Sequence, residues 1–109
     1  VWAVSVLAEA GREASAWFAH RGRPLESQFD NIAHHRSPGG LALLDDGLAW
    51  LECTTEVAHD SGDHVIIVGR VKWADFREAD DDPLLYYRSH YGTIIRQDES
   101  EKTVYRGEA

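Results

Sequence analysis

Leu48-Ala49-Trp50-Leu51-Glu52-Cys53-Thr54-Thr55-Glu56-Val57-Ala58-His59, then Asp60-Ser61-Gly62-Asp63, then His64-Val65-Ile66-Ile67-Val68-Gly69-Arg70-Val71-Lys72-Trp73, is the stretch that decides the fold. In its first run Ala49, Leu51, Cys53, Thr55 and Val57 fall on one face and Glu52, Thr54 and Glu56 on the other, the two-residue period of a half-buried strand. Trp50 is the apolar exception on the polar face, where it suits an interface with another molecule. In the second run Val65, Ile67, Val71 and Trp73 share a face, opposite His64, Ile66, Val68, Arg70 and Lys72. The polar Gly-containing segment between the runs reads as a turn, so the two runs are consecutive antiparallel strands.

Upstream, Leu41 to Leu44 and the Asp45-Asp46-Gly47 turn predict a hairpin onto the run that starts at Leu48. The segment Arg23 to Gly40 is polar and ends in Ser37-Pro38-Gly39-Gly40, a long irregular surface loop by composition. Glu9 to Arg21 has helical spacing, with Ala14, Trp17, Phe18 and Arg21 on one face, and Gly22 and Pro24 stop it. The chain opens on Val1-Trp2-Ala3-Val4-Ser5-Val6-Leu7, which reads as the inside of a strand buried on both faces with a neighbour at either edge, as though an N-terminal portion were missing. Downstream, Asp80-Asp81-Asp82-Pro83 marks a turn, Leu84-Leu85-Tyr86-Tyr87 a strand, and residues 97–109 a polar tail. Short strands, turn signals and one helix add up to a small antiparallel barrel.

The 109 residues, 43% of them hydrophobic, make one domain with a modest core. Nineteen acidic against 11 basic residues give a net charge of −8. That balance, with no basic stripe, argues against nucleic acid and anionic membrane surfaces. The single cysteine, Cys53, cannot form an internal disulfide and reads as core, which fits a cytoplasmic protein.

The six histidines lack the spacing of a metal site, since no H-x-x-x-H pattern places two on one helix face and His34 and His35 are adjacent. No phosphate-binding glycine loop and no nucleophile elbow is present. Asp63-His64 pairs a carboxylate with an imidazole whose tautomer it can hold, though a histidine at a strand end is more often a surface or hydrogen-bonded structural residue. Tyr86-Tyr87-Arg88-Ser89-His90-Tyr91-Gly92 packs aromatic rings around an arginine, suited to stacking on a planar ring and pairing with a phosphate. Alternation places Tyr86 and Arg88 on one face.

Four blocks carry a family resemblance: Ala3-Val4-Ser5-Val6-Leu7; Ser15-Ala16-Trp17-Phe18 with Gln28-Phe29-Asp30; Leu48 to Cys53; and Gly62-Asp63-His64 through Gly69-Arg70-Val71, followed by Pro83 to Arg88 and Tyr91-Gly92. Together they resemble the flavin reductase-like, FMN-binding split-barrel family, the NAD(P)H:flavin reductases that serve two-component monooxygenases. The resemblance implies a mainly β, antiparallel Greek-key split barrel with a short helix. Residues 1–96 would be the later part of that domain, with its first strands absent. It further implies a homodimer, FMN or FAD and NAD(P)H as cofactors, and a flavin-dependent monooxygenase as partner. By the same resemblance His64 is a catalytic residue on the nicotinamide side, Trp17 and Phe18 meet the flavin edge, and Tyr86, Tyr87, Arg88 and Ser89 form the NAD(P)H strand. Ser5 replaces the usual Asn, Trp17 stands where Arg is common, and Ser89 where Gly is frequent. A non-enzymatic flavin-binding or interaction module on the same barrel is the alternative.

Overall fold

The computed structural model describes residues 1–97. It is antiparallel and β-rich with a single α-helix among the described residues, as the sequence predicts. The order is β1 (Trp2–Leu7), a 3-10 turn (Glu9–Gly11), α1 (Arg12–Ala19), β2 (His34–Arg36), β3 (Ala42–Leu44), β4 (Gly47–Ser61), β5 (His64–Phe76), β6 (Leu85–Tyr87) and β7 (His90–Gly92). β1, β4 and β5 form a sheet in that order, while β2–β3 and β6–β7 are separate two-stranded ladders. The expected tail, residues 97–109, lies outside the described residues save for Gln97.

β4 and β5 run antiparallel from Ala49↔Phe76 out to Ser61↔His64, joined by Gly62 and Asp63. Gly62 has φ +64° and Asp63 stays at negative φ, as in a type II′ turn, whose twist matches that of the strands. Two bulges leave Lys72 and Glu56 without cross-strand partners, and each shifts the inside–outside alternation by one residue. Val65 and Ile67, read from the sequence as sharing a face with Val71 and Trp73, do not face the core. The outer half of the hairpin is an arm with apolar side chains exposed on both faces, with Val65 at 56%, Ile66 at 55% and Ile67 at 54% accessibility. The radius of gyration is 16.7 Å, against about 13 Å for a compact domain of this size.

The core lies at the other end of the sheet, where Ala8, Ala14, Leu43, Trp50 and Cys53 are buried. Cys53 is core, as its strand position predicts. Trp50, expected at an interface, is interior instead. Its Nε1–H donates to the Leu44 carbonyl at 2.8 Å, and its ring meets His35 edge-on at 5.2 Å. Gly47 makes room for it, since a Cβ there would sit 2.8 Å from the indole Cε2. Trp2 lies against Gly69 in the same way, with its Nε1–H donating to Thr55 Oγ1 at 2.9 Å. A Cβ on Gly69 would come within 2.6 Å of Trp2 Cη2. Gly69→Val should therefore force the ring off the sheet and cost about 1–3 kcal/mol, read as a lower denaturation midpoint.

Four further expectations need correction. The segment Arg23 to Gly40 is not irregular throughout, because His34–Arg36 pairs with Ala42–Leu44 through the Ser37–Gly40 turn, where the Leu41 N–H donates to Ser37 Oγ at 3.0 Å. β3 consequently pairs with β2 rather than with β4, and β4 takes β1 as its second neighbour. β1 is half-buried and pairs only with β4 among the described residues, with Val6 46% exposed, so it is not enclosed on both faces. α1 ends at Ala19 because His20 turns extended (φ −73°, ψ 125°), which leaves Arg21 off the helical face assigned to it.

Candidate functional site

α1 packs across β1 and β3 and leaves a cavity of ≈ 300 Å³ lined by Ala3, Ser5, Ala14, Ser15, Phe18, Phe29, Ala42 and Leu44. Helical spacing brings Ala14, Ser15 and Phe18 to it together, and strand alternation presents Ala3 and Ser5 from β1. Phe18 and Phe29 meet at 5.2 Å with planes tilted by 48°, and the Arg23 guanidinium lies 5.5 Å over the Phe18 ring. Ser5 Oγ accepts from the Leu44 N–H at 3.1 Å, which fixes β1 against β3. Trp17 lies outside the cavity lining, and its Nε1–H donates to the Gln28 carbonyl at 2.7 Å, tying α1 to the loop that carries Phe29.

A second group forms on the β6–β7 hairpin. Tyr86 meets Tyr91 edge-on at 5.2 Å, and Leu85, Tyr87, His90, Tyr91, Gly92 and Thr93 line a cavity of ≈ 360 Å³. Arg88 and Ser89 both have positive φ, +50° and +66°, the signature of a type I′ turn occupied by two non-glycine residues. That turn removes Arg88 from the strand alternation. Its guanidinium lies 5.7 Å from the Tyr87 centroid, so the expectation that Arg88 shares a face with Tyr86 is corrected to a pairing with Tyr87.

The hairpin reaches α1 through Tyr91, whose hydroxyl donates to Ser15 Oγ at 3.0 Å while the Arg12 guanidinium lies 5.5 Å over its ring. Phe18 and Tyr87 thus belong to two cavities bridged by one hydrogen bond, while Tyr86, Arg88 and Ser89 lie on the same hairpin outside the lining. His64 is apart from both. It sits at the tip of the arm, with its side chain 81% exposed, its Nδ1 2.6 Å from Asp63 Oδ1, and no part in the cavities described.

Ser15 and Phe29 are functional candidates that residue-level reasoning passed over, and Tyr91 was read only as one ring of the cluster around Arg88. The signal for Ser15 was its three-residue offset from Phe18 on one helix. For Tyr91 it was the cross-strand position opposite Tyr86. Phe29 had no local signal, since it sits in a polar loop. Among the described residues, no three His, Cys, Asp or Glu side chains converge in a metal-binding group. No helix among them is long and apolar enough to cross a membrane.

The chemistry of the first cavity fits part of a flavin. Two aromatic edges, small apolar walls and two hydroxyls suit a planar heterocycle, and the volume is at the lower end for small-molecule sites. Among the described residues no basic side chain lines it, so these walls fit the ring and not its phosphate.

Comparison with known proteins bears on this directly. The profile of the family described as "Flavin reductase like domain" matches residues 1–94. The chain is 37% identical over 105 residues to the flavin-dependent monooxygenase reductase subunit HsaB of Rhodococcus jostii, covering 95% of this chain and 49% of that one. It is 36% identical over 96 residues to the NADH-dependent FMN reductase SmoA of Agrobacterium fabrum, covering 88% and 52%. It superposes with a TM-score of 0.76 and 34% identity on the crystal structure of nitrilotriacetate monooxygenase component B from Mycobacterium thermoresistibile, covering 92% of this chain and 52% of that one. The split-barrel fold expected from the sequence is the one these structures share. The chain spans about half the length of the curated relatives it matches.

Proposed function

The chain belongs to the flavin reductase-like domain family, and from that premise we propose that its protein transfers hydride from NADH or NADPH to FMN or FAD and supplies the reduced flavin to a monooxygenase. The observation that carries this reading is the pair of cavities bridged by Tyr91 and Ser15, one suited to a planar ring and the other flanked by an exposed arginine and two tyrosines. When bound, the flavin serves as the hydride acceptor, chemistry that belongs to the cofactor and not to a side chain.

In this reading Phe18 and Phe29 hold one edge of the ring, and the hydroxyls of Ser5 and Ser15 offer polar contacts to its heteroatoms. Trp17 supports that wall from behind through its bond to Gln28. Arg88 pairs with the pyrophosphate of the dinucleotide, Tyr86 and Tyr87 supply stacking surfaces, and Ser89 shapes the turn that presents the guanidinium. The protein's contribution to rate is then orientation of two planar rings with water excluded between them.

A homodimer completes the reading. The arm carries apolar side chains on both faces, a surface monomers rarely leave uncovered. Docked against a second copy, it would carry His64 to the nicotinamide side of a site from which it is remote within one chain. The reductase domain would end near residue 96 with residues 97–109 as its tail. Its place would be the cytoplasm, consistent with one buried thiol and no disulfide.

The test is steady-state oxidation of NADH and NADPH with FMN or FAD added in catalytic amounts. Sustained oxidation above the protein-free rate with at least one pair supports the reading. Flavin binding without oxidation would favour the non-enzymatic module. Phe18→Leu keeps an apolar side chain but removes the aromatic edge, and should weaken flavin binding about fivefold with a smaller loss of stability than Phe18→Ala, measured by flavin fluorescence titration.

A further inference from the structure

The β6–β7 hairpin has little to hold it. Each strand is three residues long, Tyr86 and Tyr87 are exposed, and an isolated two-stranded hairpin is marginal in water. At its base the Leu84 N–H donates to the Leu7 carbonyl at 2.9 Å, and Thr93 Oγ1–H donates to the Pro83 carbonyl at 2.8 Å. Further out, the side-chain hydrogen bond that ties it to the helix is Tyr91 to Ser15, joining residues 76 apart in sequence.

Ser15 is also a wall of the ring-sized cavity, and Tyr91 a wall of the hairpin cavity. A hydroxyl that accepts from Tyr91 keeps its own hydrogen to donate elsewhere. Anything that settles Ser15 from the cavity side therefore also settles the acceptor on which the hairpin depends.

We infer that Tyr91 is a positioning residue, a latch through Ser15 that couples occupancy of the flavin cavity to dinucleotide binding on the hairpin. The inference rests on the function proposed above and deepens it by naming the link between the two ligands. The bistable element is the hairpin, docked on α1 or swung away about its base. Tyr91 touches neither set of reacting atoms. By reciprocity, dinucleotide should tighten flavin binding by the same factor as flavin tightens dinucleotide binding.

Tyr91→Phe removes the hydroxyl while keeping the ring that meets Tyr86 and Arg12, and Ser15→Ala removes the acceptor. In each, hydrogen exchange at the hairpin amides of the ligand-free protein should speed up about fivefold, the scale of one ordinary hydrogen bond. Ser15→Ala, whose hydroxyl also faces the flavin cavity, is read by exchange alone; in Tyr91→Phe, NAD+ affinity of the FMN-loaded protein should fall by about the same factor, while FMN affinity in the absence of dinucleotide changes by less than about twofold. The KM for the nicotinamide should rise with kcat at saturation nearly unchanged. In hairpin exchange of the ligand-free protein, the double variant should be no worse than either single one.

Faster exchange with unaltered NAD+ affinity would make the contact purely structural and overturn the coupling, as would additive losses in the double variant. Wild-type protein that binds neither FMN nor NAD+ would overturn the functional reading and the coupling with it. That outcome is recognisable because the exchange measurement needs no ligand and would still report the Tyr91–Ser15 contact.

Discussion

Ile66→Asp and Ile67→Asp, placed on opposite faces of the β4–β5 arm, should split the proposed homodimer in at least one case. Both side chains are more than half exposed in the single chain, so neither substitution removes packing that the monomer needs. In a docked arm, the same aspartate becomes a buried charge without a partner, at a cost of about 3–5 kcal/mol. The dimer dissociation constant should then rise by at least about a hundredfold. Sedimentation velocity across a concentration series reads this directly. Two faces are needed because the apolar residues occur on both, and the face that docks is the one whose variant dissociates. Unchanged sedimentation of both variants would remove the arm from any self-association.

Arg88→Ala should weaken NADH or NADPH binding by about 1.5–3 kcal/mol, roughly ten- to a hundredfold, with a much smaller effect on flavin affinity. The guanidinium is displayed on a turn in which two non-glycine residues hold left-handed backbone angles, and among the described residues it lies against the Tyr87 ring with no carboxylate partner. On a chain of net charge −8, an anionic dinucleotide meets long-range repulsion that a local cation offsets. Titration of each nucleotide against wild type and variant gives the number. Equal dissociation constants would leave Arg88 as a solvent-facing charge stacked on Tyr87.

The long β4–β5 hairpin was legible in the sequence because its cues are local: two-residue alternation, β-branched residues, and Gly62 at a turn that demands positive φ. The family resemblance was legible for the same reason, as its blocks are short local runs on β1, α1 and the loop after it, that hairpin and β6–β7. β2 was not legible, since His34-His35-Arg36 is polar and its pairing with Ala42–Leu44 is set by a turn whose buried Ser37 bonds the backbone of Leu41. Asp45-Asp46-Gly47 was read correctly as a turn but joined to the wrong ladder. The Asp46 carbonyl accepts from the Ala8 N–H at 2.9 Å, and Ser5 takes the Leu44 N–H, so tertiary contacts with β1 decide which strand lies beside β4. Trp50 was misread because alternation cannot see a missing Cβ at Gly47 or a carbonyl at Leu44 waiting for the indole.

The candidate site divides along the same line. Phe18 could be found from helical spacing, and the aromatic–arginine cluster from composition. Ser15 with Tyr91, and Phe29 with Phe18, are contacts between segments distant in sequence that no periodicity encodes. His64 was given the nicotinamide side by the family resemblance, whereas the bare arm of the single chain puts it at an exposed tip.

The central claim is that the walls contributed by α1, β1 and β3 hold the flavin ring. Amide hydrogen exchange of the protein with and without FMN tests it most directly, because it locates the ligand without relying on turnover. Slowed exchange should appear in Ala14–Phe18 and Ala42–Leu44. Protection confined to the β6–β7 hairpin or the β4–β5 arm, with none in those two segments, would contradict it.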